Sequence, residues 1–460
     1  MASRTAAKGI LPVLRTDAAG FETAFARLSN RRAAVEDVER AARKIVERVR
    51  DGGDAELLAC IRKFDAAKFS EASELEVGKQ EWEAGVDSMD PADRAALGKA
   101  AMRIREFHRK RIPSSWEVRE EGGGTFGQRV RPLERVGIYV PGGKAVYPSS
   151  VIMNAVPASV VEVPEVIMAT PAQADGSVAS EVLMAARVAG VHRIFKMGGA
   201  HAISAMAHGT ETIPRVDKIV GPGNVWVATA KRLVFGQVAI DSEAGPSEVL
   251  IVADRSATPA WIAADLISQA EHEELACAVL VTSVKSLVTR VQEQLAKQLK
   301  TLDRAKVARK ALQAHGGIVL ARDLEECIAV SNRYAPEHVV LAVEESDVVS
   351  KQITNAGAVF LGHYSPVAVG DYLAGPNHVL PTGGTARFFS PLGVEDFLKR
   401  MSVVRFEPPK LRELGADVIR LAELEGLTGH AVSIDLRLQK IRRARREREA
   451  AREAEAEIEL

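Results

Sequence analysis

Between Glu36 and Asp65 the apolar side chains of EDVERAARKIVERVRDGGDAELLACIRKFD return every three or four positions, and DGGD interrupts the run, which predicts two amphipathic helices. Helical patterning continues to about Lys110. The period changes in WEVREEGGGTFGQRVRPL, where charged and apolar residues alternate around a glycine cluster. Residues Gly122 to Gly127 satisfy the bare G-x-G-x-x-G pattern. A dinucleotide fingerprint should follow a buried strand and open a helix, so the expectation here is a hairpin turn.

From Val136 to Asp254 the short apolar runs VGIYV, EVIMAT, RIFKMG, KIVG, VAID and VLIVAD alternate with helical stretches such as SEVLMAARVAG. That rhythm predicts βα units and a largely parallel sheet covered by helices. A second series, AVLVTS, GGIVLA, HVVLAVE and AVFLG, predicts another, so two α/β domains are expected without a convincing internal repeat. The end, DLRLQKIRRARREREAAREAEAEIEL, is charged and alanine-rich, basic first and acidic later. It reads as a solvated helix or a frayed tail with no assigned role.

Composition narrows the class. The chain has 460 residues, 47% of them hydrophobic and 27% charged, enough to bury sizeable cores in several domains. Its formal net charge is zero, so no global field draws it to nucleic acid or a membrane surface. Cys60, Cys277 and Cys327 are too few and too scattered for a disulfide framework, which fits a reducing compartment. The first residues carry no secretory-type apolar core, and no run reaches the about 18 apolar residues of a membrane span, so a soluble cytoplasmic protein is expected.

Four stretches offer chemistry. In ISQAEHEELA, Gln269 and His272 stand three apart, about 60° around a helix, so they would share a face while Glu271 points elsewhere. A polar helix face near a sheet edge explains the pair as well as a metal site does, since a glutamine oxygen is an uncommon ligand. In YAPEHVVLAVE, Pro336 favours extended geometry, which places Glu337 and His338 at the start of a strand. A histidine there could act as general base and the carboxylate could orient water, or both could be solvated at a loop end. The glycine- and proline-rich VAVGDYLAGPNHVLPTGGTARF carries Asp371, which could cap a helix start or ligate a cation, and His378. Lastly, EGLTGH supplies Glu425 and His430.

Taken in chain order, RVGIYVPGG, GTETIPRVDKIVGPGN, AGPSEVL, SQAEH, YAPEH, GDYLAGPNHVLPT and EGLTGH resemble the histidinol dehydrogenase family over roughly Ala33 to Ala431. The resemblance implies two Rossmann-like α/β domains with parallel-rich sheets, plus small helical N- and C-terminal domains that swap across a homodimer. It implies a helical arm over 1–34, a zinc-bearing catalytic domain over 35–138 and 247–392, and an NAD-binding domain over 139–246. A C-terminal region, 393–438, would complete the other subunit's site, and 439–460 is the charged tail.

The implied activity is oxidation of L-histidinol through L-histidinaldehyde to L-histidine, a four-electron reaction using two NAD. By motif position Gln269, His272, Asp371 and His430 would hold zinc, His430 from the other subunit. Zinc would hold the substrate's imidazole and amine, His338 would be the base in both oxidations, and Glu337 would activate the water that hydrates the aldehyde. Ser247, His378 and Glu425 would line the substrate pocket with those residues, and Tyr139 and Asn224 would contact NAD. Two departures stand out: His201 occupies the place of a common family glutamine expected to touch NAD, and Glu243 replaces an apolar residue or proline.

Three other readings compete. A paralogue with the same zinc site could oxidise another small alcohol, against which stands the complete EGLTGH ending. A zinc hydrolase could use Glu337 and His338 on a bound water, though it has no need of a second α/β domain carrying GPGN. A non-catalytic zinc-stabilised binding protein would prefer a closed cysteine-rich shell, which is absent from the sequence.

Overall fold

The computed structural model describes residues 9–30, 36–142, 146–242 and 245–458. Glu243, and Gly143 of the first motif, lie outside them. The chain divides into two compact units, one of residues 1–112 with 132–397, the other of 113–131 with 398–460.

Two all-parallel sheets organise the larger unit. The first runs Arg193–Lys196, Glu165–Thr170, Arg135–Tyr139, Lys218–Val220, Ala239–Ile240. The second runs Val13–Arg15, Gly317–Leu320, Cys277–Thr282, Glu248–Ala253, His338–Ala342, Ala358–Leu361. Its central strands are apolar without alternation because both faces are covered. Val249, Ile251 and Ala253 enter one core while Leu250 and Val252 enter the other. Each of the Val, Leu and Ile side chains contributes about 1.5–3 kcal/mol on burial, so the strand is anchored from both sides.

The predicted pair of N-terminal helices appears as Glu36–Phe64, broken at Gly53, whose φ of 55° lies in the left-handed region. This element packs on the helices Gly199–His208 and Val225–Val234 of the five-stranded half. The boundary expected at residue 139 cuts the strand Arg135–Tyr139. The described part of the 1–34 arm is not purely helical: Val13–Arg15 adds an edge strand to the six-stranded sheet, and Phe21–Ser29 is a helix. Cys60, Cys277 and Cys327 are buried, and none of them is in a disulfide.

In the smaller unit, Trp116–Arg119 and Gly124–Pro132 form the antiparallel hairpin expected in place of a dinucleotide loop. A third strand, Leu398–Phe406, joins its Gly124–Pro132 edge, so this unit is mixed rather than helical. The helices Pro408–Leu424 and Thr428–Ile458 pack together. Gly415 permits that approach, since a Cβ there would stand 2.9 Å from Leu438. The charged tail is helical through Ile458, with i,i+4 pairs Arg443–Glu447 and Arg445–Glu449 on its exposed surface. Among the described residues no helix is long and apolar enough to cross a membrane.

Candidate active site

Chemistry concentrates at the amino edge of the six-stranded sheet, where Glu248, Cys277, His338 and Ala358 each begin a strand. Open α/β sheets more often place ligands at the carboxyl ends of their strands. Parallel pairing sets His338 against Val249, which brings the residue before it, Glu337, alongside Glu248. The Glu248 main chain then serves both. Its N–H donates to Glu337 Oε2 at 2.7 Å, and its carbonyl lies 2.8 Å from His338 Nδ1.

A carbonyl only accepts, so Nδ1 carries the proton and a neutral His338 keeps Nε2 as its basic atom. Burial lowers the His338 pKa to about 4, against the Glu248 hydrogen bond, and the nearby His378 and His272 push the same way. The ring is therefore uncharged at neutral pH. Burial drives Glu337 well above the usual carboxylate range. The Glu248 N–H opposes that shift, while the charges of Glu248, Asp371 and Glu273 reinforce it.

Glu248 itself is fully buried at the head of an apolar strand, and its Oε1 accepts the Gly383 N–H at 2.6 Å. Thr382 Oγ1 accepts from Gly245 N at 2.6 Å, which ties the same turn to the entrance of that strand. Sequence reasoning passed over Glu248. The signal for it was a charge heading an otherwise apolar run, directly after Ser247. Ser247 is half-buried, its carbonyl accepts from Cys277 N at 2.9 Å, and its main chain hydrogen-bonds Glu273.

Gln269 and His272 do not share a helical face, which corrects the expectation from their spacing. The helix Pro259–Ala270 ends between them, and His272 lies in a bend beyond the cap residue Glu271. Three glutamates, 271, 273 and 274, would oppose the negative end of a longer helix, and Arg304 donates to the His272 carbonyl at 3.2 Å instead. His272 keeps an exposed edge, yet the protein around it lowers its pKa by desolvation. Asp371 is near the end of the short helix Val367–Tyr372, so it does not cap the start. Burial raises it to about 6. His378 Nδ1 stands 3.1 Å from the Asp371 carbonyl and 3.9 Å from its carboxylate. Burial lowers His378 to about 4.

The structure thus gathers Glu337, His338, His272, Asp371 and His378 into one electrostatic group. No three His, Cys, Asp or Glu side chains among the described residues already converge on a metal position. The donor set nonetheless suits one: the buried Gln269 amide pairs with no described residue, and the half-buried Asp371 carboxylate takes no hydrogen bond from one. One carboxylate, one amide oxygen and imidazole nitrogen fit a borderline divalent ion such as zinc. Glu425 and His430 belong to the smaller unit, where Glu425 ends one helix and His430 sits in the first turn of the next, both exposed.

The carboxyl edge of the five-stranded sheet carries the residues expected to meet NAD. Tyr139 ends its strand, is buried, and accepts the Gly199 N–H at 3.1 Å; burial pushes its hydroxyl up to about 12. Asn224 caps the helix Val225–Val234 by accepting from Trp226 N and Val227 N. His201 is buried and committed to Asp65, whose carboxylate lies 3.2 Å from Nε2 and also takes the Gly198 N–H at 3.0 Å. Gly221, at φ 117°, approaches so closely that a Cβ would meet the Tyr139 carbonyl at 2.2 Å. That close approach of two main chains, together with the positive φ, requires glycine at 221.

A buried carboxyl–imidazole pair on one parallel sheet, with a glycine-lined carboxyl edge on a second, defines an α/β enzyme of the dehydrogenase class. The family model for histidinol dehydrogenase matches residues 28–438, and the chain belongs to that family, whose members are NAD-dependent oxidoreductases. It is 54% identical over 404 residues to the histidinol dehydrogenase of Syntrophotalea carbinolica, covering 88% of this chain and 93% of that one. The Geobacter sulfurreducens enzyme is 51% identical over 403 residues, covering 88% and 94%. A crystal structure of histidinol dehydrogenase from Elizabethkingia anophelis superimposes with a TM-score of 0.88 at 33% identity, covering 94% of this chain and 99% of that one. These relatives favour neither the paralogue nor the hydrolase reading.

Proposed function

We propose that this enzyme oxidises L-histidinol through L-histidinaldehyde to L-histidine, working as a cytoplasmic homodimer with one zinc per subunit. The observation that carries the mechanism is the Glu248 main chain, which holds Glu337 by its N–H and fixes His338 with Nε2 free. Gln269, His272 and Asp371 of one subunit with His430 of the other would hold the metal. When bound, zinc would anchor the imidazole and amine of the substrate, and two NAD in turn would each accept a hydride.

His338 Nε2 takes the alcohol proton as the carbinol C–H leaves with its electron pair, which gives the aldehyde. Glu337 then accepts a proton from water as the oxygen adds to the aldehyde carbon, and the protonated His338 returns its proton to the former carbonyl oxygen, which gives the hydrate and a neutral His338; the raised pKa of Glu337 makes its ionised carboxylate a stronger base. The hydrated aldehyde loses its second hydride while His338 again takes the hydroxyl proton, leaving the carboxylic acid. Ser247, His378 and, across the dimer, Glu425 would line the substrate pocket. Tyr139, Asn224 and His201 would address NAD from the five-stranded sheet, His201 through a ring already held by Asp65.

The test counts NADH at alkaline pH with limiting L-histidinol, before and after chelation. Two NADH per histidinol, lost with chelator and restored by zinc, is the expected result. Intact NAD binding with no NADH from histidinol would overturn the substrate.

A further inference from the structure

A buried ion pair next to the cofactor edge has no part in the chemistry above. Lys231, on the helix Val225–Val234, pairs with Asp241, just past the strand Ala239–Ile240, and their side chains are 2% and 5% exposed. Both reach one residue. Lys231 Nζ donates to the Gly221 carbonyl at 2.9 Å, and the Gly221 N–H donates to Asp241 Oδ2 at 2.8 Å. Asp241 Oδ1 also accepts the N–H of Ser242 at 2.8 Å. Gly221 is therefore gripped at both its main-chain groups in a conformation, φ 117°, that favours glycine. It presses against the Tyr139 carbonyl on one side and leads, three residues on, to the helix cap Asn224.

We infer that Lys231 and Asp241 are positioning residues of the cofactor site, holding the Gly221–Asn224 turn so that Tyr139 and Asn224 stand at the spacing NAD needs. A buried ion pair is weak evidence for stability, because desolvation offsets most of the attraction. Its value here is geometric. Hydrogen bonds to charged groups are short and directional, and two of them fix the peptide planes on either side of Gly221. An uncharged pair would leave the turn several alternative paths, and NAD would have to select one of them on binding.

The inference rests on the reading that NAD binds at Tyr139 and Asn224, so the experiment includes Asn224→Ala as a separate arm. The main variant is the double substitution Lys231→Met with Asp241→Asn, which removes both charges and strands neither. Lys231→Gln with Asp241→Asn, a second charge-free pair that keeps a hydrogen-bonding group at both positions, covers the case in which the first double variant fails to fold. The expected result is a KM for NAD and an NADH dissociation constant, read by nucleotide fluorescence, raised about ten-fold or more, the scale of losing a charged hydrogen bond. The KM for histidinol, kcat at saturating NAD and zinc content should stay near wild type.

A merely structural role would instead lower the melting temperature, zinc content and kcat together with no selective change for NAD, and would overturn the inference. So would unchanged NAD affinity in either folded double variant while Asn224→Ala weakens it. If Asn224→Ala leaves NAD binding unaltered, the location of the cofactor is wrong and the inference falls with it.

Discussion

The carbonyl of Glu248 lies 2.8 Å from Nδ1 of His338, and that one contact settles which nitrogen of the histidine can act as a base. Asparagine at 338 can satisfy the carbonyl through its amide N–H but offers no basic nitrogen. His338→Asn is therefore expected to lower kcat by about 10²- to 10⁴-fold, the usual worth of a general base, with zinc retained. Steady-state kinetics beside metal analysis checks both halves, and wild-type turnover would remove His338 from the role.

The role proposed for Glu337 falls at a different stage. Glu337→Gln keeps an oxygen for the Glu248 N–H, so the His338 side of the site should stay in place, while the group that activates water is lost. Oxidation of supplied L-histidinaldehyde is expected to fall by about 10²- to 10⁴-fold while the first hydride transfer from histidinol proceeds. Single-turnover measurement of the first NADH separates the steps, and unimpaired aldehyde oxidation would refute the assignment.

Much of this was legible in the sequence where local chemistry decides the outcome. The runs VLIVAD and HVVLAV are unbroken because each strand is covered on both faces, and Pro336 marks where Glu337 and His338 enter theirs. The place of His272 was not legible: its helix stops against a glutamate cluster, and the carbonyl beyond is met by Arg304, 32 residues away. Nor was the third strand of the smaller unit, Leu398–Phe406, which is largely exposed and meets a hairpin some 270 residues earlier in the chain. Glu248 shows the same limit from another side, since its two active-site bonds come from its main chain, and main-chain roles leave no mark on residue type.

The proposed sharing of sites across a dimer gives a complementation test. His430→Ala should lose zinc affinity by more than the roughly 10- to 100-fold that removal of a residue merely supporting a ligand costs. Hybrids of His338→Asn and His430→Ala subunits should then recover activity that neither parent has, because one site in each hybrid combines an intact His338 with an intact His430. Hybrids with no activity, or full zinc in His430→Ala alone, would place His430 outside the site.

His108 concerns stability. It lies fully buried on the helix Pro91–Arg109, and neither ring nitrogen has a partner among the described residues. Burial lowers its pKa from 6.5 to about 4, and Arg111 pushes the same way. Between those values the unfolded chain binds a proton that the folded one refuses, so stability is complete above pH 6.5 and declines as pH falls toward 4. The full loss from this one group is on the order of 3 kcal/mol. His108→Leu removes both the titration and the unpaired nitrogens. It is expected to stabilise the fold by about 1–3 kcal/mol at neutral pH and to flatten the acid side of the stability profile. Denaturant midpoints for the two proteins at pH 7, 6, 5 and 4 test this. A wild-type slope in His108→Leu would mean that the ring reaches solvent and carries its ordinary pKa.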